Sequence, residues 1–172
     1  MAPHSTSTKD ATKRLIVIRH AHRNKPDGGA ADNGLSKKGK RQALWAAEHF
    51  RKVRVVGPTW VASSPKVRCV ETVEEIAGIA KCRLKILKEL DEQGPQESNK
   101  HFLERIKKFA AGWKESGPAY GVICSHGDWI PAFLEVIAHA RVDLKKGGWL
   151  ELEWEPGEET ARLLWILQTL EA

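Results

Sequence analysis

Three short segments of the sequence contain the side chains that phosphoryl chemistry requires. They are Arg19-His20, residues 63–68, which end in Arg68, and residues 125–128, which contain His126. A neutral imidazole carries a free lone pair near pH 7, so a histidine can attack phosphorus and form a phosphohistidine that water hydrolyses. An arginine binds two phosphate oxygens at once, and its charge lowers the pKa of a neighbouring histidine. The segments therefore predict phosphoryl transfer to His20, provided that the fold brings them together.

The pattern of apolar residues predicts elements that position these segments. Short β-branched runs indicate four strands, each followed by apolar residues at helical spacing, at residues 15–18, 59–62, 84–87 and 120–124. Residues 149–154 and 162–168 read as a hairpin with no helix between its strands. This order predicts an α/β fold, a three-layer α/β/α sandwich whose mainly parallel mixed sheet ends in a C-terminal antiparallel hairpin. Because ligands bind beyond the carboxyl ends of parallel strands, the three segments are expected to meet there.

The second helix and the residue that follows the His126 segment give more detailed predictions. Ser63-Ser64-Pro65 is typical of a helix start, with serine as the N-cap and proline in the first turn. Spacing by three predicts an inner face that excludes Arg68 and consists of Val67, Val70, Val73 and Ile76. Most tryptophans are expected in the core, whereas Trp129 is predicted to form a pocket wall.

The bulk composition is that of an ordinary globular protein. The chain has 172 residues, of which 41% are hydrophobic and 29% charged. Residues 1–13 are polar and lack the apolar stretch of a secretory signal, so we expect a flexible tail, a cytoplasmic location and a single domain over residues 14–172. The apolar runs are too short for a membrane span. The net charge of +6 is dispersed and lacks a nucleic-acid motif, so no nucleic-acid partner is expected, and the oligomeric state is left open.

Four ordered motifs resemble those of a known family. They are LIVIRHA at residues 15–21, LSKKGKRQA at 35–43, SSPKVR followed by Glu71-Thr72 at 63–72, and CSHGD at 124–128. As a set they resemble the histidine phosphatase superfamily, which has the phosphoglycerate-mutase-like fold. The short length, Ala21 and the terminal hairpin are most similar to the small group typified by the bacterial phosphohistidine phosphatase SixA.

The resemblance implies a role for each matching residue. His20 matches the family's phosphorylated nucleophile, and Arg19 and Arg68 match its phosphate-binding arginines. His126 matches the second histidine, which donates a hydrogen bond to the transferring phosphoryl group. Arg23 is similar to a third phosphate-binding arginine in the acid-phosphatase branch.

The sequence offers two carboxylic acids for protonating the leaving oxygen. The family usually has such an acid after the third strand, in a Leu-x-Glu pattern. Leu90-Asp91-Glu92 resembles this pattern and favours Glu92, although residues 87–89 give Glu89 the same spacing. A third alternative is that neither residue serves, because a P–N bond breaks readily once the leaving imidazole is protonated.

The resemblance thus predicts a metal-independent phosphatase without a cofactor, which acts through phospho-His20 on a phosphorylated small molecule or a phosphohistidine protein. Histidines and carboxylates do not cluster at the spacing of metal ligands. One alternative is a phosphate-binding pseudo-phosphatase or interaction module that has lost turnover. A phosphomutase is less favoured, because only the loops at residues 26–34 and 92–99 are available to close a pocket over an intermediate.

Overall fold

The computed structural model of the chain describes residues 11–25, 32–53 and 60–168. Most of the predicted tail, residues 26–31 of the first loop, Thr59 of the predicted second strand and the last four residues lie outside this part. The first strand begins at Lys13, one residue before the predicted domain. Within the described residues, no helix is both long enough and apolar enough to cross a membrane.

Strands and helices alternate along most of the described chain. In order they are β1 (Lys13–Arg19), α1 (Lys37–Val53), β2 (Trp60–Ser63), α2 (Val67–Ile79), β3 (Leu84–Ile86), α3 (Asn99–Ser116), β4 (Tyr120–Ser125), α4 (Trp129–Ala138), β5 (Trp149–Trp154) and β6 (Arg162–Leu167). A single turn of 3₁₀ helix, Lys88–Leu90, follows β3.

The sheet has the predicted mixed topology. Among the described residues its six strands lie in the order β3-β2-β4-β1-β5-β6. β1 pairs in parallel with β4, and β2 pairs in parallel with both β3 and β4. β5 pairs antiparallel with β1 and with β6, which makes the terminal hairpin. The predicted α/β fold class is therefore confirmed.

Helices cover both faces of the sheet, and β1 shows how the layers are divided. Leu15 and Val17 pack in one apolar cluster with residues of α3 and α4, whereas Ile16 and Ile18 pack in a second cluster with residues of α1 and α2. All four side chains are fully buried. Since successive side chains of a strand point to opposite faces, this continuous apolar run is what a central strand between two helical layers requires.

Three predictions of local detail were wrong. Helix α2 begins at Val67 with Lys66 as its N-cap, two residues beyond the predicted serine cap, and no side chain caps it. Its inner face includes Arg68 and Thr72, whereas Val67 is 42% exposed, because this helix end faces a polar pocket as well as the core. Trp129 is fully buried beside Phe133 and is a core residue, not a pocket wall.

The start of α1 holds the chain segment that follows His20. Ser36 Oγ accepts a hydrogen bond from Gly39 N at 3.1 Å and lies 2.8 Å from His22 Nδ1. Gln42 Oε1 accepts from His22 N at 2.9 Å. Gly39 packs so closely on this segment that an added Cβ would lie 2.0 Å from His22 O. The motif of residues 35–43 therefore fixes the backbone two residues beyond the predicted nucleophile.

Replacing Gly39 by alanine tests this packing. The added methyl group must displace the first turn of α1 from His22, so we expect Gly39→Ala to lower the free energy of unfolding by about 1–3 kcal/mol in urea denaturation. Gly112→Ala in α3 is the matched control, because its Cβ would meet nothing within 4 Å. That control should gain about 0.5–1 kcal/mol from helix propensity. An equal response of the two variants would contradict the close packing at Gly39.

Candidate active site

The carboxyl ends of β1, β2 and β4 bring the three predicted segments together. His20 N donates to Ser125 O at 3.0 Å, and Ser64 N donates to Cys124 O at 3.0 Å, so the backbone at each strand end is tied to its neighbour. The ring centroids of His20 and His126 lie 5.4 Å apart, with the planes inclined by 59°. Parallel pairing of β4 with both other strands thus places the two histidines across one pocket.

His20 is held as a neutral imidazole with one free nitrogen. Its Nδ1 lies 2.8 Å from Ala21 O, and because a carbonyl oxygen can only accept, Nδ1 carries the proton and Nε2 carries the lone pair. Burial lowers the pKa of His20 to about 3, with further repulsion from His126, Arg68 and Arg19, although the bond to Ala21 acts in the opposite direction. The ring is therefore uncharged at neutral pH and chemically suited to nucleophilic attack through Nε2.

Arg68 and Arg19 supply positive charge to the pocket. Arg68 is only 2% exposed, and its guanidinium contacts Glu92 Oε1 at 2.7 Å and Asp32 Oδ1 at 3.2 Å. Arg19 Nη1 donates to Leu144 O at 2.5 Å. Within the described part of the chain, Nε of both arginines is buried without a hydrogen-bond partner. Two guanidiniums with unused donors can bind a phosphate dianion, and the carboxylates on Arg68 occupy positions that phosphate oxygens can take.

A glycine allows Arg19 to reach the pocket. An added Cβ on Gly127 would lie 2.6 Å from Arg19 Nη2, so the guanidinium packs directly on the backbone of the turn that follows His126. This close approach explains why glycine stands between His126 and Asp128 in the fourth motif. Asp128 begins α4 as its N-cap and accepts a hydrogen bond from Trp129 N.

His126 is in the opposite protonation state to His20. Its Nε2 lies 2.7 Å from Ser64 Oγ and 3.4 Å from Asp91 Oδ1, and its Nδ1 lies 3.6 Å from Glu92 Oε2. Burial alone would lower the pKa of His126, but Asp91 and Cys69 raise it to about 9. A pKa of about 9 corresponds to an imidazolium at neutral pH, and Arg68 Nη2, which can only donate, lies 3.4 Å from Nδ1 in the free protein.

Of the two predicted acids, Glu92 lies in the pocket and Glu89 does not. The side chain of Glu89 is exposed and lines a separate cavity of about 540 Å³ beside α3. Partial burial acts to raise the pKa of Glu92, but its hydrogen bond to Arg68 and the charges of Arg68, His126 and Lys66 outweigh this effect and lower the pKa. In the free protein Glu92 is therefore a carboxylate at neutral pH.

Arg23 lies on the loop between β1 and α1. It forms an isolated antiparallel bridge with Leu35 and is half-buried. The pKa of Lys146 is lowered by burial and by the charges of Lys25, Arg19, Arg23 and Arg68. Arg23 thus contributes to the same positive field as the two pocket arginines.

The sequence did not predict a role for several residues near the site. Lys146 had no motif to reveal it, but Gly147 N donates to both Arg19 O and His20 O at 3.1 Å, which ties this segment to the nucleophile. Asp91 is the middle residue of the Leu-x-Glu pattern, where any residue type is allowed, so the pattern gives it no role. Asp32 and Cys69 contact Arg68 and His126 only through the tertiary fold. Within the described residues, no group of three histidine, cysteine or carboxylate side chains is placed to hold a metal ion.

Comparison with solved structures shows the same fold in several phosphatases. A putative alpha-ribazole-5'-P phosphatase from Escherichia coli superposes with a TM-score of 0.74 at 18% identity, covering 91% of this chain and 97% of that one. A mycobacterial glucosyl-3-phosphoglycerate phosphatase gives 0.71 at 18% identity, covering 91% and 98%. The protein histidine phosphatase SixA, complexed with tungstate, gives 0.65 at 15% identity, covering 90% and 96%. No curated protein matches the chain in sequence.

A family model confirms the resemblance that the motifs predicted. The model of the histidine phosphatase superfamily (branch 1) matches residues 15–95. This range contains the first three motifs together with Glu92, and it ends before the motif of His126. The chain therefore resembles the histidine phosphatase superfamily in sequence over residues 15–95 and in fold over about nine-tenths of its length.

The unused arginine donors predict tight binding of a phosphate-like oxyanion. Arg68→Gln removes a buried charge-assisted pair of donors, so we expect the Kd of orthovanadate to rise about 10–100-fold in isothermal titration calorimetry. Arg14→Gln is the matched control, because Arg14 lies on β1 but pairs with Glu153 outside the pocket. The control should bind vanadate like the wild type. Equal losses in both variants would show that general charge, and not the pocket, attracts the anion.

Proposed function

We propose that the protein is a metal-independent phosphatase that hydrolyses a phosphomonoester or a phosphohistidine through a covalent phospho-His20 intermediate. The observation that carries the proposal is the pairing of two buried histidines, His20 and His126, across one pocket beside the buried Arg68. The two ring centroids lie 5.4 Å apart; burial lowers the pKa of His20, which presents Nε2, and Asp91 and Cys69 raise the pKa of His126. A nucleophile, a hydrogen-bond donor and two arginines are the set that phosphoryl transfer to nitrogen requires.

The first half-reaction forms a P–N bond at His20. The lone pair of Nε2 attacks phosphorus while the bond from phosphorus to the leaving oxygen or nitrogen breaks, and its electron pair stays with the leaving atom. Arg19 and Arg68 bind the equatorial oxygens in place of the carboxylates of Glu92 and Asp32, and His126 donates a hydrogen bond to the same group. In the second half-reaction water attacks phosphorus, the P–N bond breaks, and its electron pair returns to Nε2 as orthophosphate leaves.

In this proposal Glu92 is the proton donor for a poor leaving group. In the free protein it is ionised because Arg68 lies 2.7 Å away. A phosphate dianion on Arg68 competes for that guanidinium and repels the carboxylate, so substrate binding raises the pKa of Glu92. An alkoxide needs this proton. A phosphohistidine does not, since its protonated imidazole leaves without further help, and the site is thus compatible with both substrate classes.

The relatives in fold support a phosphatase. Two of the solved structures are named as phosphatases of small phosphorylated molecules, and SixA is named as a protein histidine phosphatase and was solved with tungstate, an oxyanion. We extend from them to this chain the general activity, phosphate release, and the two substrate classes, a phosphorylated small molecule or a phosphohistidine protein. Membership in the SixA-type group is part of the same proposal.

A phosphate-binding module without turnover is the second candidate. One observation favours it, because both Asp32 and Glu92 contact Arg68 in the free protein and must yield to any phosphate. Such a module would bind vanadate and release no phosphate from any substrate.

The nucleophile is tested by substitution of His20. In buffer that contains a chelator, we expect wild-type protein to release phosphate from p-nitrophenyl phosphate or from a phosphohistidine peptide, and His20→Ala to lose at least about 1,000-fold in kcat/KM. His101→Ala is the matched control and should keep the wild-type rate, because His101 is an exposed histidine on α3. Turnover that survives in His20→Ala would rule out the covalent route, and wild-type protein that binds vanadate without turnover would support the binding module.

The role of Glu92 is tested by comparing leaving groups. General acid catalysis contributes about 10²–10⁴-fold, so we expect Glu92→Gln to lower kcat for an alkyl phosphate by at least 100-fold. The same variant should hydrolyse p-nitrophenyl phosphate and a phosphohistidine peptide within about fivefold of the wild type, because their leaving groups need no such proton. Glu89→Gln, which removes an exposed carboxylate three residues away, should change none of the three rates. Equal losses on all substrates would exclude Glu92 as the acid.

A further inference from the structure

A second polar cluster contacts Nε2 of His126, whereas Arg68 lies beside Nδ1. It consists of Ser64, directly after β2, and Asp91, directly after the 3₁₀ turn. Neither residue contacts His20 in the structure. The proposed mechanism gives this cluster no task, although it surrounds the ring nitrogen on which the state of His126 depends.

We propose that Asp91, acting through the hydroxyl of Ser64, is a positioning residue that keeps His126 as an imidazolium with its Nδ1–H directed at the reacting phosphoryl group. The inference rests on the proposed phosphatase function and deepens it, because it assigns the source of the second histidine's charge. Asp91 is argued to act only through the ring and not to touch the substrate.

The geometry fixes the direction of each hydrogen bond. Ser64 Oγ donates to Asp91 Oδ1 at 3.1 Å, so its lone pairs face the other way. His126 Nε2 lies 2.7 Å from the same Ser64 Oγ and must then be the donor. With Nε2–H committed to Ser64, a neutral ring would present a bare lone pair at Nδ1. Only the imidazolium has a second N–H for the pocket.

Nδ1 of His126, the outer nitrogen of the ring, faces the groups that surround the expected phosphate position, whereas Nε2 is the inner nitrogen. Nδ1 of His126 lies 3.4 Å from Arg68 Nη2, which can only donate, and 3.6 Å from Glu92 Oε2, which can only accept, so in the free protein these two groups compete for this nitrogen. A lone pair at Nδ1 would repel a phosphate oxygen, whereas an N–H would bind it. The two adjacent carboxylates therefore differ in role: Asp91 secures the inner nitrogen, and Glu92 stands on the outer side with Arg68.

Charged and titratable groups approach His126 from each element that packs against it. Arg68 and Cys69 belong to α2, Asp91 and Glu92 to the loop, and His20 to the end of β1. Burial and Arg68 act against protonation of His126, and Asp91 and Cys69 act for it. Asp91 is itself held as a carboxylate: partial burial acts to raise its pKa, but its contacts with His126, Lys66 and Ser64 lower the pKa overall.

Cys69 is the competing source of negative charge. Its Sγ lies 3.5 Å from His126 Nε2, and the thiol is fully buried. A thiolate there would stabilise the imidazolium as Asp91 does. Burial acts to raise the pKa of this thiol, but hydrogen bonds to Cys124 and His126 lower the pKa overall, so ease of ionisation does not separate the two groups. Asp91 is favoured as the source because two successive hydrogen bonds through Ser64 Oγ join it to the ring.

The test combines a pH–rate profile with direct titration of the ring. Protonated His126 is the active form, so kcat/KM for p-nitrophenyl phosphate should fall as pH rises through its pKa, which is about 9 in the wild type. Asp91→Asn keeps an acceptor for Ser64 and removes the charge, so this alkaline limb should move to lower pH by about one unit or more. At pH 5, where His126 stays protonated in both proteins, the two rates should agree within about threefold. A purely structural loss would lower the rate at every pH.

Nuclear magnetic resonance of ¹⁵N-labelled histidine separates this inference from the proposed function. The resonances of His126 should titrate about one unit lower in Asp91→Asn than in the wild type, whether or not the protein has turnover. Ser64→Ala, which removes the bridging hydroxyl, should shift the titration in the same direction. An unshifted pKa in both variants would overturn the assignment to Asp91 even if the enzyme is active.

Two controls complete the design. Glu97→Gln removes a carboxylate from the same loop, where it pairs with Arg105, and should leave the alkaline limb unchanged. Cys69→Ser should shift the His126 titration by less than half of the Asp91→Asn shift. A larger shift in Cys69→Ser than in Asp91→Asn would assign the charge to the thiolate instead and overturn the proposal.

Discussion

The site depends on the removal of His20 from water at the end of the central strand. β1 lies between β4 and β5, four of its side chains are fully buried, and the chain leaves the sheet at His20, which is only 6% exposed. Burial keeps the imidazole neutral, and the bond from Nδ1 to Ala21 O leaves Nε2 as the lone-pair nitrogen. The helical layers, the parallel pairing and the close fit of Gly39 against His22 all serve to hold this ring in place.

Two histidines 5.4 Å apart differ in protonation because their ring neighbours differ. His20 bonds to a neutral carbonyl and faces cations, so burial prevails and the pKa falls. His126 is as deeply buried, but its inner nitrogen meets a hydroxyl and the carboxylate of Asp91, so the charge is retained. One residue type thus supplies both the nucleophile and the cationic donor. The difference in protonation between the two histidines comes from neighbouring residues that do not themselves react.

The sequence alone predicted those features of the fold and the site that depend on local residue pattern. Strand and helix order, the terminal hairpin and the meeting of His20, Arg68 and His126 follow from apolar periodicity and from the rule that sites lie beyond parallel strand ends. The burial of Arg68 could not be predicted, because an arginine on a helix is ordinarily solvated, and its carboxylate partners Glu92 and Asp32 come from distant parts of the sequence. The role of Asp91 was equally hidden, since its contact with His126 spans 35 residues and no local signal reports it.

The central claim is that the phosphoryl group passes through Nε2 of His20. The most direct measurement is to quench the wild-type enzyme during turnover of a labelled substrate and to locate the label by mass spectrometry and by chromatography of the two phosphohistidine isomers. The account predicts an alkali-stable, acid-labile phosphoryl group on His20, attached at Nε2 because Nδ1 carries a proton bonded to Ala21 O. A label at Nδ1, a label on another residue, or rapid turnover with no trapped phosphohistidine would contradict it.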